Sequence, residues 1–301
     1  MIFGPVPTKQ AQGSILAHSI FCSGRRLRKG MTLEEADIEL LSASGVNEVT
    51  VAQLQDKDVH ENQAAAELAE ALVPDVKAAG LERTSAFTGR VNLVAAGPGV
   101  VAQQTDRLIA LNSIDPMITF ATVPNYQQMQ KGGLVGTVKI ISYAVDEEKL
   151  RSACAMGAAA IKLMPPRLKT ASLLVSQGAN RSDEKGISAI KSRLDALGVT
   201  LEKVITSEHD INPMARALST LSSELLLILT SSATSDPNDT APAAVRAAGG
   251  QIDRFGIPVD PGNLLFLGHI QSRPVIGFPG CVRSPALNGA DWVLSQIACG
   301  V

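Results

Sequence analysis

Between Thr230 and Asp239 the chain carries hydroxyls at Thr230, Ser231, Ser232, Thr234 and Ser235, carboxylates at Asp236 and Asp239, and no large apolar side chain. Hydroxyls and backbone N–H groups are donors for an oxyanion, and carboxylates supply acceptors or a metal ligand. Immediately before lie the apolar residues Leu225 to Leu229, enough for a strand buried on both faces, as in a parallel sheet. Thr240 to Ala248 follows with a helical composition, with Thr240 as candidate N-cap and Pro242 in the first turn. Strand, polar loop and helix in that order put the loop at the carboxyl edge of a sheet. Open α/β folds bind ligands at that edge, and a helix N-terminus favours anions. The same pattern also suits an ordinary β–α connection.

Each polar candidate has a structural alternative. Asp236 precedes Pro237 and suits an Asx turn, and Asp239 suits a helix N-cap. Asp210, in Ser-Glu-His-Asp-Ile-Asn-Pro, could cap a helix that begins near Pro213, while His209 reads as structural or exposed. His18 and Arg90 sit among apolar neighbours, which suggests buried pairing. Arg283 and Ser284 follow a Pro279-Gly280 turn; the guanidinium could reach a phosphate with two N–H groups, and a surface arginine is the alternative. Cys281 beside that turn has no His–Asp pattern to activate it as a nucleophile.

The elements that would position these residues divide at Met164-Pro165-Pro166-Arg167, because consecutive prolines extend neither a helix nor a central strand. Residues 1–165 read as a smaller α+β domain. Gly13 to Phe21 suits a strand or short helix, followed by basic residues at Arg25, Arg26, Arg28 and Lys29. Thr32 to Ser44 reads as a helix with a Thr32/Glu35 capping box, and Asn62 to Leu72 and Glu147 to Met156 as two more. Strand-like runs occur at Val46 to Leu54, Val91 to Ala95, Met117 to Val123 and Leu134 to Tyr143. Residues 166–301 alternate regularly. Strands are expected at Leu168 to Ser176, Val199 to Thr206, Leu225 to Leu229, Gln251 to Val259, Leu264 to Gly268 and Pro274 to Phe278. Helices fall at Asp183 to Leu197, Pro213 to Leu221, Thr240 to Ala248 and Asn288 to Ala298. This spacing predicts βαβ units, hence an α/β fold with a mostly parallel open sheet and helices on both faces.

Composition narrows the partners. Among 301 residues, a formal net charge of −2 and 3% aromatics argue against nucleic acid and anionic membranes. No apolar run approaches the ~18 residues of a membrane helix, and Met1 to Gln12 lacks a signal-peptide core. The four cysteines form no C-x-x-C pair and read as reduced thiols, which suggests a cytoplasmic protein.

The motifs of the second half, taken in order, resemble a family. Leu229-Thr-Ser-Ser-Ala-Thr-Ser-Asp-Pro-Asn-Asp-Thr-Ala-Pro is followed by Ala248-Gly-Gly, Val259-Asp-Pro-Gly-Asn and Pro274-Val-Ile-Gly-Phe-Pro-Gly. From Lys169 to Val301 this is similar to the molybdopterin-binding domain of molybdenum-cofactor biosynthesis proteins, one group of which adenylylates molybdopterin and another of which inserts molybdate. The resemblance implies catalytic positions at Asp210 and Asp239. It implies ligand-binding positions at Gly178, at Thr230, Ser231, Ser232, Thr234 and Asp236, at Pro261 and Gly262, and at Pro279 and Gly280, with Arg283 and Ser284 beside them. Ser231-Ser232 stands where the family has Gly-Gly, and Pro279-Gly-Cys-Val where the molybdate-inserting group has Pro-Gly-Asn-Pro, which counts against molybdate insertion. In the first half, Ile15-Leu-Ala-His-Ser, Lys29-Gly-Met, Glu61-Asn-Gln-Ala-Ala, Thr88-Gly-Arg-Val-Asn-Leu and Thr137-Val-Lys-Ile-Ile are similar to a group that accompanies molybdenum-cofactor cytidylyltransferases. No cytidylyltransferase signature occurs, so such a partner would be a separate chain.

The expected function is binding of molybdopterin or its nucleotide derivative, as a carrier or nucleotidyltransferase partner, with a dimer favoured. Backbone N–H groups and hydroxyls from Thr230 to Thr234 suit its terminal phosphate. With a nucleotide bound, Asp239 or Asp236 could hold Mg²⁺. Two alternatives are a Mg²⁺-dependent nucleotide pyrophosphatase of the competence/damage-inducible type and a non-enzymatic regulatory module.

Overall fold

The structure is a computed structural model that describes residues 1–177 and 183–301. The chain separates into two compact units. One comprises Met1–Ala96, Ala102–Asn125 and Gly132–Lys162, the other Gly97–Val101, Tyr126–Lys131 and Leu163–Val301.

The first unit is built on small antiparallel sheets. Ile118–Thr122, Leu134–Ile140, Arg90–Ala95 and Leu81–Arg83 form a four-stranded sheet in that order, against which the helix Glu61–Leu72 packs. Its alternating positions bury Val91, Leu93 and Ala95 and leave Arg90 exposed. Arg90 and His18 are both exposed, so the buried pairing expected for them is corrected: neither points into a core. The helix expected from Thr32 runs Glu35–Ala43, and its capping box is formed by Glu34 and Asp37 rather than Thr32 and Glu35. The helix Thr105–Asn112 has no strong apolar stripe and was not foreseen. Gly13 to Phe21 resolves into Ile15–Leu16 and the start of Ile20–Cys22, two short strands.

The second unit is a mixed α/β structure. The strands of its six-stranded sheet are β1 (Thr170–Gln177), β2 (Thr200–Glu208), β3 (Leu225–Leu229), β4 (Gly250–Phe255), β5 (Phe266–Ile270) and β6 (Arg273–Phe278). Its helices are α1 (Glu184–Leu197), α2 (Ile211–Ser219), α3 (Thr240–Ala247) and α4 (Gly289–Cys299). The sheet order is β2-β1-β3-β6-β5-β4, with parallel pairing from β2 to β6 and antiparallel pairing of β5 with β6 and β4. The expected six-stranded, mostly parallel sheet is present.

Strand β3 is its axis, and all five of its side chains are fully buried. Because strand side chains alternate, Leu225, Leu227 and Leu229 join one core with Ile190 and Leu194 of α1 and Leu294 of α4. Leu226 and Ile228 join a second core with Met214 and Leu218 of α2 and Val245 of α3. Each such side chain contributes about 1.5–3 kcal/mol by leaving water. The helices that follow β1 and β3 thus pack on opposite faces, and β1 lies between β2 and β3. The sheet order therefore reverses between β1 and β3, and open α/β sheets bind ligands at the carboxyl ends of strands at such a reversal. Close helix–strand packing at this point needs a glycine. A Cβ on Gly186 would lie 2.6 Å from Leu229 Cδ2.

Candidate functional site

The loop after β3 is fastened at its base by side chains from β1, from just past the end of β2 and from the 3-10 helix after β6. Ser176, near the end of β1, accepts the Ser231 N–H at 3.1 Å. The same hydroxyl lies 2.9 Å from His209 Nδ1, and the other ring nitrogen of His209 lies 3.1 Å from Ser232 Oγ. Thr230 is buried and donates its hydroxyl to the Ser232 carbonyl at 2.6 Å. Opposite, Arg283 Nη2 donates to the Thr230 carbonyl at 2.7 Å, while Nε and Nη2 both reach Asp183 Oδ2. Asp183 in turn caps α1 through Gly186 N–H.

The far end of the loop is closed by Asp239. Its Oδ2 accepts the Ser235 N–H at 3.0 Å and its Oδ1 the Thr240 N–H at 2.7 Å. The Ser235 N–H bond holds this carboxyl below its ordinary pKa, with Thr240 and the charge of His209 adding to it and partial burial opposing. Asp239, not Thr240, is thus the N-cap of α3. Asp236 makes the Asx turn, accepting the Asn238 N–H at 2.7 Å.

Between base and cap, the N–H groups of Ser232, Ala233 and Thr234 have no hydrogen-bond partner among the described residues. Successive backbone N–H groups can cradle an anion. The negative Asp239 offsets the dipole of α3, so an anion here would rest on these amides and the hydroxyls.

The remaining expected residues lie elsewhere on the carboxyl side. Asp210 is exposed and caps α2 through the Asn212 N–H at 3.1 Å. The Pro261 carbonyl accepts the Gly289 N–H of α4 at 2.9 Å, and a Cβ on Gly262 would meet that same nitrogen at 3.0 Å. The turn at Pro279 and Gly280 enters a short 3-10 helix that ends at Arg283, with Ser284 exposed behind it. Gly178 lies outside the described residues. Thr230, Ser231, Ser232, Asp239 and Arg283 are brought together, whereas Asp210, Pro261, Gly262 and Ser284 have no bond to that group.

His209 and Ser176 were missed as members of the group. Nothing in their spacing marks them, and only the pairing of β1 with β2 and β3 unites them. Arg193 was also missed. Buried on α1, it pairs with Asp291 at 2.6 Å and donates to the carbonyls of Val282, Ser284 and Ala286, fixing the segment that carries Arg283. Burial pushes the Cys281 thiol up, consistent with a thiol kept protonated rather than a nucleophile.

The donor set does not fit a dedicated magnesium site. Both oxygens of Asp239 already hold backbone N–H groups, and among the described residues no three His, Cys, Asp or Glu side chains gather to hold a metal ion.

A family model described as a domain of unknown function (DUF8806) matches residues 5–53. Among curated proteins none matches the sequence. Two solved structures align over most of the chain. A molybdopterin biosynthesis moea protein from Pyrococcus horikosii is 12% identical, with 93% of this chain and 70% of that one covered and a TM-score of 0.30. A molybdenum cofactor biosynthesis protein from Pyrococcus furiosus is 12% identical, with 99% and 61% covered and a TM-score of 0.26. The chain thus spans less than two thirds of the second protein, and likeness at these scores carries no argument about this chain's function. Among the described residues no helix is long and apolar enough to cross a membrane.

Proposed function

We propose that this protein binds molybdopterin, or a nucleotide-bearing derivative of it, in molybdenum-cofactor biosynthesis, with the terminal phosphate on the loop from Thr230 to Thr234. The observation that carries the reading is the set of three consecutive N–H groups, at Ser232, Ala233 and Thr234, that have no partner among the described residues, in a loop fastened at both ends. Preorganised donors lose little entropy on binding. The four ordered motifs from Leu229 to Gly280 that resemble molybdopterin-binding domains give the ligand its identity.

In this reading Ser231 and Ser232 add hydroxyl donors, Arg283 and His209 hold the loop, and Arg283 supplies positive charge behind it. Asp239 shapes the cradle and Asp236 its outer turn. Asp210, the Pro261-Gly262 and Pro279-Gly280 segments and Ser284 would border the rest of the ligand. A separate cytidylyltransferase chain is the partner this reading favours, acting with a homodimer of this protein.

The test is ligand release. Protein purified from its source and then denatured is expected to yield a fluorescent pterin with the mass of a molybdopterin oxidation product. Added molybdopterin is expected to bind the emptied protein and to bind Ser232→Asp at least tenfold more weakly, because a carboxylate on the cradle repels the phosphate. If no pterin is released and none binds by calorimetry, the reading fails. Release of nucleoside monophosphate from a dinucleotide with Mg²⁺ would instead favour the pyrophosphatase alternative.

A further inference from the structure

A cleft of about 830 Å³ opens along the outer face of α1, within the ~300–1,000 Å³ range of small-molecule sites. No residue from Thr230 to Asp239 lines it. Its shape follows from how α1 divides its faces. Ile190, Leu194 and Leu197 turn to the sheet, while Ser188, Ala189 and Ser192 fall on the cleft side and line its floor. Small side chains one helical turn apart leave a shallow slot that a flat ring can enter. The facing wall carries three carboxamides, Gln127, Gln128 and Gln130. A carboxamide offers two N–H donors and a carbonyl acceptor, of which Gln127 gives one N–H to the Gln128 carbonyl; the rest complement a heterocycle whose edge mixes ring nitrogens, a carbonyl and an amine.

Two cationic side chains, Lys185 and Arg283, line the cleft, the second of them paired with Asp183. Lys185 has no ion pair or hydrogen bond to a described residue. Arg283 lines the cleft and spends Nε and Nη2 on Asp183 and Thr230, while Nη1 has no bond to a described residue. Of the other charged lining groups, Arg193 and Asp291 neutralise each other, which leaves Glu184 as an acceptor for a ring N–H.

We propose that this cleft is a second ligand site, for a planar heterocycle that has a hydrogen-bonding edge and carries a phosphate. The ring lies on Ser188, Ala189 and Ser192, its edge meets the glutamines, and the phosphate reaches Lys185 and Arg283. A pterin monophosphate and a purine nucleotide share this chemistry. No residue of the loop after β3 lines this site, and Arg283 is shared between the cleft and the support of the loop; Ser232→Asp, which alters the loop alone, separates the cleft from the molybdopterin reading.

The experiment is calorimetry on the full chain with guanosine monophosphate, dihydroneopterin monophosphate and inorganic phosphate as probes. At least one heterocycle is expected to bind at least tenfold more tightly than inorganic phosphate, and which one does identifies the source. Ser192→Trp, which fills the floor at an exposed position, is expected to lower that affinity at least tenfold. Gln128→Leu and Lys185→Gln should each lower it at least threefold, and they test the wall and the charged end without changing the floor. Ser232→Asp should leave it unchanged. The proposal is overturned if neither heterocycle binds at millimolar concentration, if inorganic phosphate binds as tightly, or if the three cleft variants retain wild-type affinity while folded. Loss of binding in Ser232→Asp alone would also overturn it, by moving the probes to the loop.

Discussion

His209 Nε2 lies 3.1 Å from Ser232 Oγ, so a residue just past the end of β2 holds a loop that leaves β3, with Ser176 of β1 on the other ring nitrogen. A neutral hydrogen bond of this kind contributes about 1 kcal/mol. His209→Ala is therefore expected to lower overall stability by no more than roughly 1–2 kcal/mol while loosening the loop locally. Amide exchange at Ser232, Ala233 and Thr234 should accelerate at least tenfold relative to β3. Equal protection in wild type and variant would mean that the loop holds its form without the imidazole.

Arg283 joins the cap of α1 to the end of β3, through Asp183 and the Thr230 carbonyl. Lysine offers one point charge where arginine offers a planar fork, and cannot hold both partners at once. Arg283→Lys is expected to lose about 1 kcal/mol, discounted because the side chain is 31% exposed. In urea the midpoint should fall with the slope unchanged. A wild-type midpoint would show that one of the two contacts contributes nothing.

Arg193 is a different case, since its side chain is 8% exposed and that of its partner Asp291 is 12% exposed. Removing one member of a buried pair strands the other, which costs about 3–5 kcal/mol. Arg193→Met is expected to fall in that range by chemical denaturation, because it also releases the carbonyls of Val282, Ser284 and Ala286. A loss below about 1 kcal/mol would mean that water takes over the guanidinium's role.

How much of this was legible in the sequence depended on range. Leu225 to Leu229, the stripe of α1 closed by Gly198, and the Asp236 turn are local patterns, and each stands where the residues put it. The partners of the site are not local. Ser176 and Ser231 are 55 residues apart, and Asp183 and Arg283 are 100 apart. Only the order of strands, with β1 between β2 and β3 and β6 on the far side of β3, unites them. His209 reads as structural or exposed from its own segment because its two serine partners lie on β1 and in the loop after β3. The Thr32/Glu35 capping box failed for a nearer reason. Glu34 and Asp37 make the same reciprocal bonds two residues on, and Thr32 is held instead in a bridge to Ile15.

Asp239 gives the sharpest test, because its two oxygens do different work. Oδ1 caps α3 at Thr240 and Oδ2 closes the loop at Ser235. Asparagine would serve as a cap alone, but it has one acceptor oxygen and no charge, so one of the two N–H groups must lose its partner. Asp239→Asn is therefore expected to cost roughly 1–2 kcal/mol at neutral pH, the lower end for charge-assisted bonds because the carboxylate is partly exposed. The sign with pH follows from the depressed pKa. A carboxyl held below its unfolded value of about 3.9 contributes stability that is fully present above that value and lost as pH falls through the folded one. The gap between wild type and variant should stay constant from about pH 6 to 8 and close below about pH 4. Urea unfolding across that range measures it. A gap that persists into acid would assign the difference to the shape of the side chain rather than its charge. Molybdopterin affinity then separates loop from cap. A cradle held open by Ser235 and Asp239 should bind at least tenfold more weakly once that bond is gone, whereas unchanged affinity would leave Asp239 as the cap of α3 and nothing more.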